Sequence, residues 1–245
     1  METFPHITNV SYRNMNMDYD PQKYKSRWLG YFDLLGTSDL IRSGKISDIF
    51  FAYQDALEHL SSWKERHPNV SHAWFSDTFI IFSEEDSAES FAEIEMVCRW
   101  FVFSLIRKNI PVRGSLSCGQ FYVDMGSSLF LGEALLEAYE WGENQDWLGM
   151  LLCPTTVRKL EDFGLPVAER LNYAKYDVPF KKEPKTGSSE IAACILGEWM
   201  QLSNGENALL KNFREMLSQQ TDFRVIAKYK RTIEFIEKNH RTIKK

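Results

Sequence analysis

Two aspartates sit in surroundings that are costly for a carboxylate. Asp33 follows Trp28-Leu29-Gly30-Tyr31-Phe32 and precedes Leu34-Leu35, while Asp77 lies between Trp74-Phe75-Ser76 and Thr78-Phe79-Ile80-Ile81-Phe82. Burying either without a partner is unfavourable. If the two segments are adjacent strands, the carboxylates face each other, and a divalent cation is the usual remedy for two close like charges. Magnesium or manganese suits oxygen ligands and keeps positions open for phosphates. The plain alternative is that each aspartate caps a turn or accepts backbone N–H bonds.

Gly36-Thr37-Ser38 lies just beyond Asp33. Glycine lets a backbone approach a ligand closely, and amides that open a helix point at anions. Gly36 and Thr37 are therefore candidates for holding phosphate oxygens, although ordinary strand-to-helix turns contain the same triplet. Arg113, before Gly114, offers a planar guanidinium suited to phosphate, or is simply an exposed strand arginine. Glu133, Glu137 and Glu140 recur at helical spacing and read as a solvated or partner-facing stripe, with Glu140 able to reach a pocket.

The elements that must position these residues follow from the hydrophobic pattern. Trp28–Leu35 reads as a buried strand ending in a turn, after which Ser38 or Asp39 would cap a helix. Ile46, Ile49, Phe50, Tyr53, Leu57 and Leu60 form one apolar helix face, stopped at His67-Pro68-Asn69. The segment 70–82 is a hairpin with Ser76-Asp77 at its tip. Glu84-Glu85-Asp86-Ser87 opens a helix running to about Lys108, with Phe91, Ile94, Val97, Phe101 and Leu105 inside. A strand over 110–123 carries Arg113. Gly132 precedes a helix through Trp141, Trp147–Cys153 is a strand, and Pro154 starts another helix. Residues 175–189 read as an exposed loop, Ile191–Leu196 as a late strand, and Asn204–His240 as two helices divided near Gln220-Thr221-Asp222. The order predicts an α/β (α+β) layer structure: an N-terminal arm over 1–25, a main domain over 26–200 and a C-terminal helical addition over 201–245.

Composition sets the broad class. The chain has 245 residues, 44% hydrophobic and 26% charged, which is ordinary for a globular protein. No apolar run approaches the ~18 residues of a membrane span, and the start Met1-Glu2-Thr3-Phe4-Pro5-His6 does not have the pattern of a secretory signal. A net charge of −5 argues against a nucleic-acid partner. Cys98, Cys118, Cys153 and Cys194 are scattered through apolar runs without zinc-ligand spacing, which reads as buried free thiols in a reducing cytoplasm.

Taken in order, the motifs resemble those of class III nucleotidyl cyclases. Tyr31-Phe32-Asp33-Leu34-Leu35-Gly36-Thr37-Ser38 is similar to the first metal motif of that family. Phe75-Ser76-Asp77 is similar to the second, with Ser76 in place of the usual glycine, and the 44-position separation of the aspartates (77 − 33) matches the family's. Arg113-Gly114-Ser115-Leu116-Ser117-Cys118-Gly119 and the helix from Gly132 fall in the expected places, so the resemblance covers about residues 27–155. It implies a ferredoxin-like, palm-type sheet with helices packed on it. It also implies a head-to-tail homodimer with the site at the subunit interface, acting on a nucleoside triphosphate. Asp33 and Asp77 would hold two Mg2+ or Mn2+ ions, with Leu34 adding its carbonyl. Gly36 and Thr37 would hold phosphate oxygens, and Arg113 would offset charge on the β- or γ-phosphate.

Four departures redirect the substrate. The family's helix asparagine falls at Leu136, its transition-state arginine at Glu140, and its adenine-selecting lysine and aspartate at Ala73 and Leu129. The resemblance therefore leans toward the pyrimidine cyclases of bacterial Pycsar antiphage systems, which make cyclic CMP or cyclic UMP. A cyclase-fold domain that has lost catalysis and binds nucleotide or a partner is the other reading. Lys108, Lys228 and Lys230 are candidates for the missing cation. No Gly-Gly-Asp/Glu-Glu-Phe run is present, which sets diguanylate cyclases aside.

Overall fold

Side chains of strand β1 (Tyr24–Leu34) alternate between two faces, as a two-residue period requires. Trp28, Phe32 and Leu34 point into the main core, and Leu29 and Tyr31 into a second, smaller cluster on the other side. Asp33 belongs by parity to the second face. In this computed structural model, which describes residues 19–44, 46–165, 167, 172–182, 184, 191–194 and 208–240, β1 is central in an eight-stranded mixed sheet. It pairs antiparallel with β3 (Thr78–Ser83) and β4 (Val112–Asp124). The order is β2-β3-β1-β4-β6-β8-β7, with β2 Val70–Phe75, β6 Met150–Leu152, β7 Tyr173–Lys175 and β8 Ala192–Cys194. The short β5 (Leu129–Leu131) pairs with β4.

The main-core face is covered by α2 (Ile46–Arg66) and α3 (Ala88–Arg107). Phe91, Ile94, Val97, Phe101 and Leu105 are all buried, as their spacing predicts. The second face is covered by α4 (Glu133–Asn144), which lies on β1 and β4. Ser115 and Ser117 donate to the carbonyls of Ala138 and Ala134 at 2.6 and 2.7 Å, and Gly142 leaves room for the Tyr31 ring, only 2.6 Å from where a Cβ would stand. Small residues on both partners thus bring helix and strand close.

Several expectations need correction. The short helix α1 (Thr37–Arg42) starts at Thr37, so Ser38 and Asp39 lie inside it and not at its cap. Ile46 and Phe50 are exposed, and Ala56 takes their place in the buried face of α2. Ser87 caps α3 through its hydroxyl, whereas Glu84 binds Lys25 and Arg27. Helix α4 continues to Asn144 because Gln145, fully buried, closes it by donating to the carbonyls of Gly114 and Trp141. β1 begins at Tyr24, within the stretch read as an arm, and β7 ends on Lys175, the first residue of the predicted loop. Residues 1–18 and most of 183–190 lie outside the described residues. The C-terminal helices follow α5 (Pro154–Asp162) as α6 (Ala208–Ser218) and α7 (Phe223–His240). They contribute Leu209, Phe213, Tyr229, Phe235 and Ile236 to the main core, so they share it and do not form a separate layer. All four cysteines are free and buried, and burial pushes Cys118 and Cys194 up to about 12. No helix among the described residues is long and apolar enough to cross a membrane.

Candidate functional site

Asp33 stands one residue from the end of β1, opposite Thr78 on one side and Arg113 on the other. Asp77 lies in the two-residue turn between β2 and β3. The Leu34 N–H donates to the Asp77 carbonyl at 3.0 Å, which ties the strand end to the hairpin tip. Ser76 takes a left-handed φ of +56°, a conformation that costs a side-chain-bearing residue about 1 kcal/mol or more. That geometry gives a physical reason for glycine at the corresponding place in related motifs. Gly36, at φ +81°, makes the turn out of β1. The Thr37 hydroxyl then donates to the Leu34 carbonyl at 3.3 Å.

Arg113 is only 3% exposed, and its three nitrogens are engaged. Nε and Nη2 reach Asp33 Oδ2 at 2.9 and 2.7 Å, Nη2 reaches Glu143 Oε2 at 2.6 Å, and Nη1 donates to the Gln145 carbonyl at 3.1 Å. A buried guanidinium requires such counter-charges. The arginine expected to face phosphate, or else to be exposed, is therefore found fixing Asp33. Glu143 also accepts from the Tyr31 hydroxyl at 2.9 Å. Burial raises the Asp33 carboxyl to about 6, with Arg113 pulling the other way and the charges of Glu143 and Asp77 adding to the rise.

These donors fit a hard divalent cation. Asp33 and Asp77 influence each other electrostatically, Arg113 occupies only Oδ2 of Asp33, and Oδ1, the Asp77 carboxylate and the Leu34 carbonyl are all oxygen ligands. No group of three or more His, Cys, Asp or Glu gathers in metal-binding fashion among the described residues.

The remaining sequence candidates divide. Lys108 pairs with Asp55 beside a cavity of about 340 Å³ that adjoins Leu34, Thr37 and Tyr53. Lys230 is exposed, whereas Lys228 is partly buried and interacts electrostatically with Arg113 and Asp33. Glu137 is not a solvated stripe: it is buried and binds the Thr155 hydroxyl at the start of α5. Ala73 lines a cavity of about 780 Å³ with His72, Trp74, Phe75, Thr78 and Phe130. Glu143, Gln145 and Lys181 escaped the sequence reading. A helix drawn to Asn144 would have placed Glu143 on α4 and pointed to it.

Comparison with known proteins yields structures but no sequence relatives: no protein-family profile and no curated protein matches. The guanylyl cyclase Cya2 superposes with a TM-score of 0.50 at 10% identity, over 74% of this chain and 97% of that one. The adenylyl cyclase CyaB from P. aeruginosa does so with a TM-score of 0.50 at 11% identity, over 69% and 92%. At such identity the likeness establishes the fold, a mixed α+β sheet flanked by helices as in class III nucleotidyl cyclases.

Proposed function

We propose that this protein is a nucleotide cyclase that converts a nucleoside triphosphate, CTP or UTP in preference, into a 3′,5′-cyclic nucleotide and pyrophosphate. The observation that carries the reading is the pair Asp33 and Asp77, held together by the Leu34–Asp77 backbone bond on a cyclase-type sheet. The ribose 3′-oxygen gives up its proton to solvent water and bonds to the α-phosphorus, while the bond from that phosphorus to the α,β-bridging oxygen breaks and pyrophosphate leaves. Asp33, Asp77 and the Leu34 carbonyl would hold Mg2+ or Mn2+, which when bound would acidify the 3′-hydroxyl and neutralise the triphosphate. Arg113 orients Asp33 and places positive charge behind it; Gly36 and Thr37 border the phosphates.

The pyrimidine preference is supported by Ala73 and Leu129, which supply no charged group where the family's adenine-selecting pair would stand. Homodimerisation is supported by exposed apolar side chains, among them Trp74, Phe75 (84% exposed), Met125, Leu136 and Tyr139. A role in antiphage signalling rests on the Pycsar likeness alone. The second reading, a nucleotide-binding domain without turnover, is favoured by the full engagement of Arg113 and by Leu136 and Glu140 at the family's transition-state positions. Incubation with manganese and each of the four nucleoside triphosphates decides between them. A cyclic pyrimidine nucleotide with pyrophosphate is the expected product, nucleotide binding without product establishes the second reading, and ready formation of cyclic AMP overturns the preference.

A further inference from the structure

The last turn of α4 is held from three sides. Lys181, on the segment after β7, donates its backbone N–H to the Asn144 carbonyl at 2.7 Å and its Nζ to the Glu143 carbonyl at 2.9 Å. Gln145 is fully buried and donates its amide to the Gly114 and Trp141 carbonyls at 3.0 and 3.2 Å, while its Oε1 accepts from Trp147 Nε1 at 2.7 Å. Gly142 lets the Tyr31 ring lie against the helix, and the Tyr139 ring meets it edge-on with 5.6 Å between centroids. The backbone of Glu143 is therefore fixed independently of its side chain.

The Glu143 carboxylate gives its two oxygens to two different partners. Oε1 accepts from the Tyr31 hydroxyl at 2.9 Å, and Oε2 accepts from Arg113 Nη2 at 2.6 Å. Arg113 in turn brings Nε and Nη2 within 2.9 and 2.7 Å of a single oxygen, Oδ2 of Asp33, and donates Nη1 to the Gln145 carbonyl at 3.1 Å. An arginine facing one carboxylate often forms a fork, two parallel N–H···O bonds that take both oxygens. Here Glu143 and the Gln145 carbonyl hold the guanidinium off that geometry, and Asp33 Oδ1 stays outside it. A free oxygen is what a hard cation needs from a carboxylate already bonded to a guanidinium. No motif of the cyclase resemblance includes Glu143.

We infer that Glu143, braced by Tyr31, is a positioning residue for the metal site, acting through Arg113 to keep Asp33 Oδ1 free for the cation. The inference rests on the reading of Asp33 as a metal ligand of a cyclase, and its test does not depend on turnover. Binding of Mn2+ to the full chain is measured by loss of the free-ion paramagnetic resonance signal in wild type, Glu143→Ala, Glu143→Gln and Tyr31→Phe. Asp146→Asn, which removes a carboxylate paired with Arg231 just beyond the same helix end, serves as the charge control. Glu143→Ala is expected to weaken binding about tenfold or more, the size of losing a partner that orients a metal ligand. Glu143→Gln should stay within about threefold of wild type, because its amide oxygen can accept from Arg113 and its NH2 can donate to the Tyr31 oxygen. Asp146→Asn should stay within about twofold. Thermal melts identify a variant that fails to fold; if Glu143→Ala does, Tyr31→Phe decides, with an expected loss of about threefold. Equal losses in Glu143→Ala and Glu143→Gln, or as large a loss in Asp146→Asn, would assign the effect to charge and overturn the positioning role. Undiminished binding in Glu143→Ala, or no binding by wild type, overturns it too. Cyclic product from a wild type whose Glu143→Ala variant binds Mn2+ equally well would sink the positioning role and keep the cyclase. Glu143-dependent Mn2+ binding without product would do the reverse.

Discussion

Asp33 and Glu137 are two buried carboxylates on the same side of one sheet, 8% and 7% exposed, and burial raises the pKa of both. Exposure therefore does not separate them; their partners do. Glu137 meets a hydroxyl and a backbone amide, Thr155 Oγ1 and Thr155 N, and so satisfies the first turn of α5. Its surroundings call for nothing further. Asp33 meets the Arg113 guanidinium, a second carboxylate in Asp77, and the fields of Lys181 and Lys228. The comparison teaches that a buried acid with a raised pKa is not in itself a site. What distinguishes Asp33 is that charges of both signs act on it.

The comparison breaks most decisively in activity. Asp33→Ala should lower manganese-dependent cyclic nucleotide formation by about a thousandfold or more, since metal and substrate lose a ligand together, while Glu137→Ala stays within about twofold. Equal losses in the two variants would erase the distinction. The next largest effect is on stability. Arg113→Met leaves Asp33 and Glu143 without their cation, and urea denaturation should show a loss of about 3–5 kcal/mol. Adding Asp33→Asn to that variant should restore part of it.

The effect of pH follows in size. The Asp33 carboxyl titrates at about 6 in the folded protein against 3.8 ordinarily, so between those values the folded state binds more protons than the unfolded state. Its contribution to stability therefore falls as pH rises from about 4 to about 6 and levels off above, with a slope of at most about 1.4 kcal/mol per pH unit. Asp33→Asn should flatten that part of the stability profile, and denaturation midpoints at pH 4, 5, 6 and 7 check it. The smallest change sharpens the other half of the comparison. Glu137→Ala removes a helix cap, worth about 1–2 kcal/mol or a melting shift of about 2–8 °C, measured by calorimetry.

Much of the architecture was legible locally. The Ser76-Asp77 hairpin tip, the inner face of α3, the proline start of α5 and the division of the C-terminal helices near Gln220 all stand where turn chemistry and periodicity put them. The nearness of Asp33 to the hairpin tip that carries Asp77 follows likewise, because Asp33 is opposite Thr78 in the strand pairing. Ile46 and Phe50 were misplaced because an apolar stripe does not say how wide a surface will cover it. Glu143 was missed because α4 was drawn too short, and Lys181 because it lies in a polar stretch without periodicity.

By itself, then, the sequence determined which side chains share a face of an element, and hence that Asp33 and Asp77 emerge at adjoining strand ends. Only the tertiary structure decided what meets them there. Arg113 turned inward because α4, laid on β4 by Ser115 and Ser117, brings Glu143 within 2.6 Å of it. Lys228 acts electrostatically on Asp33 because α7 docks on the turn after α4. Periodicity is a property of one element, whereas the field acting on a carboxylate is the sum over every element packed against it.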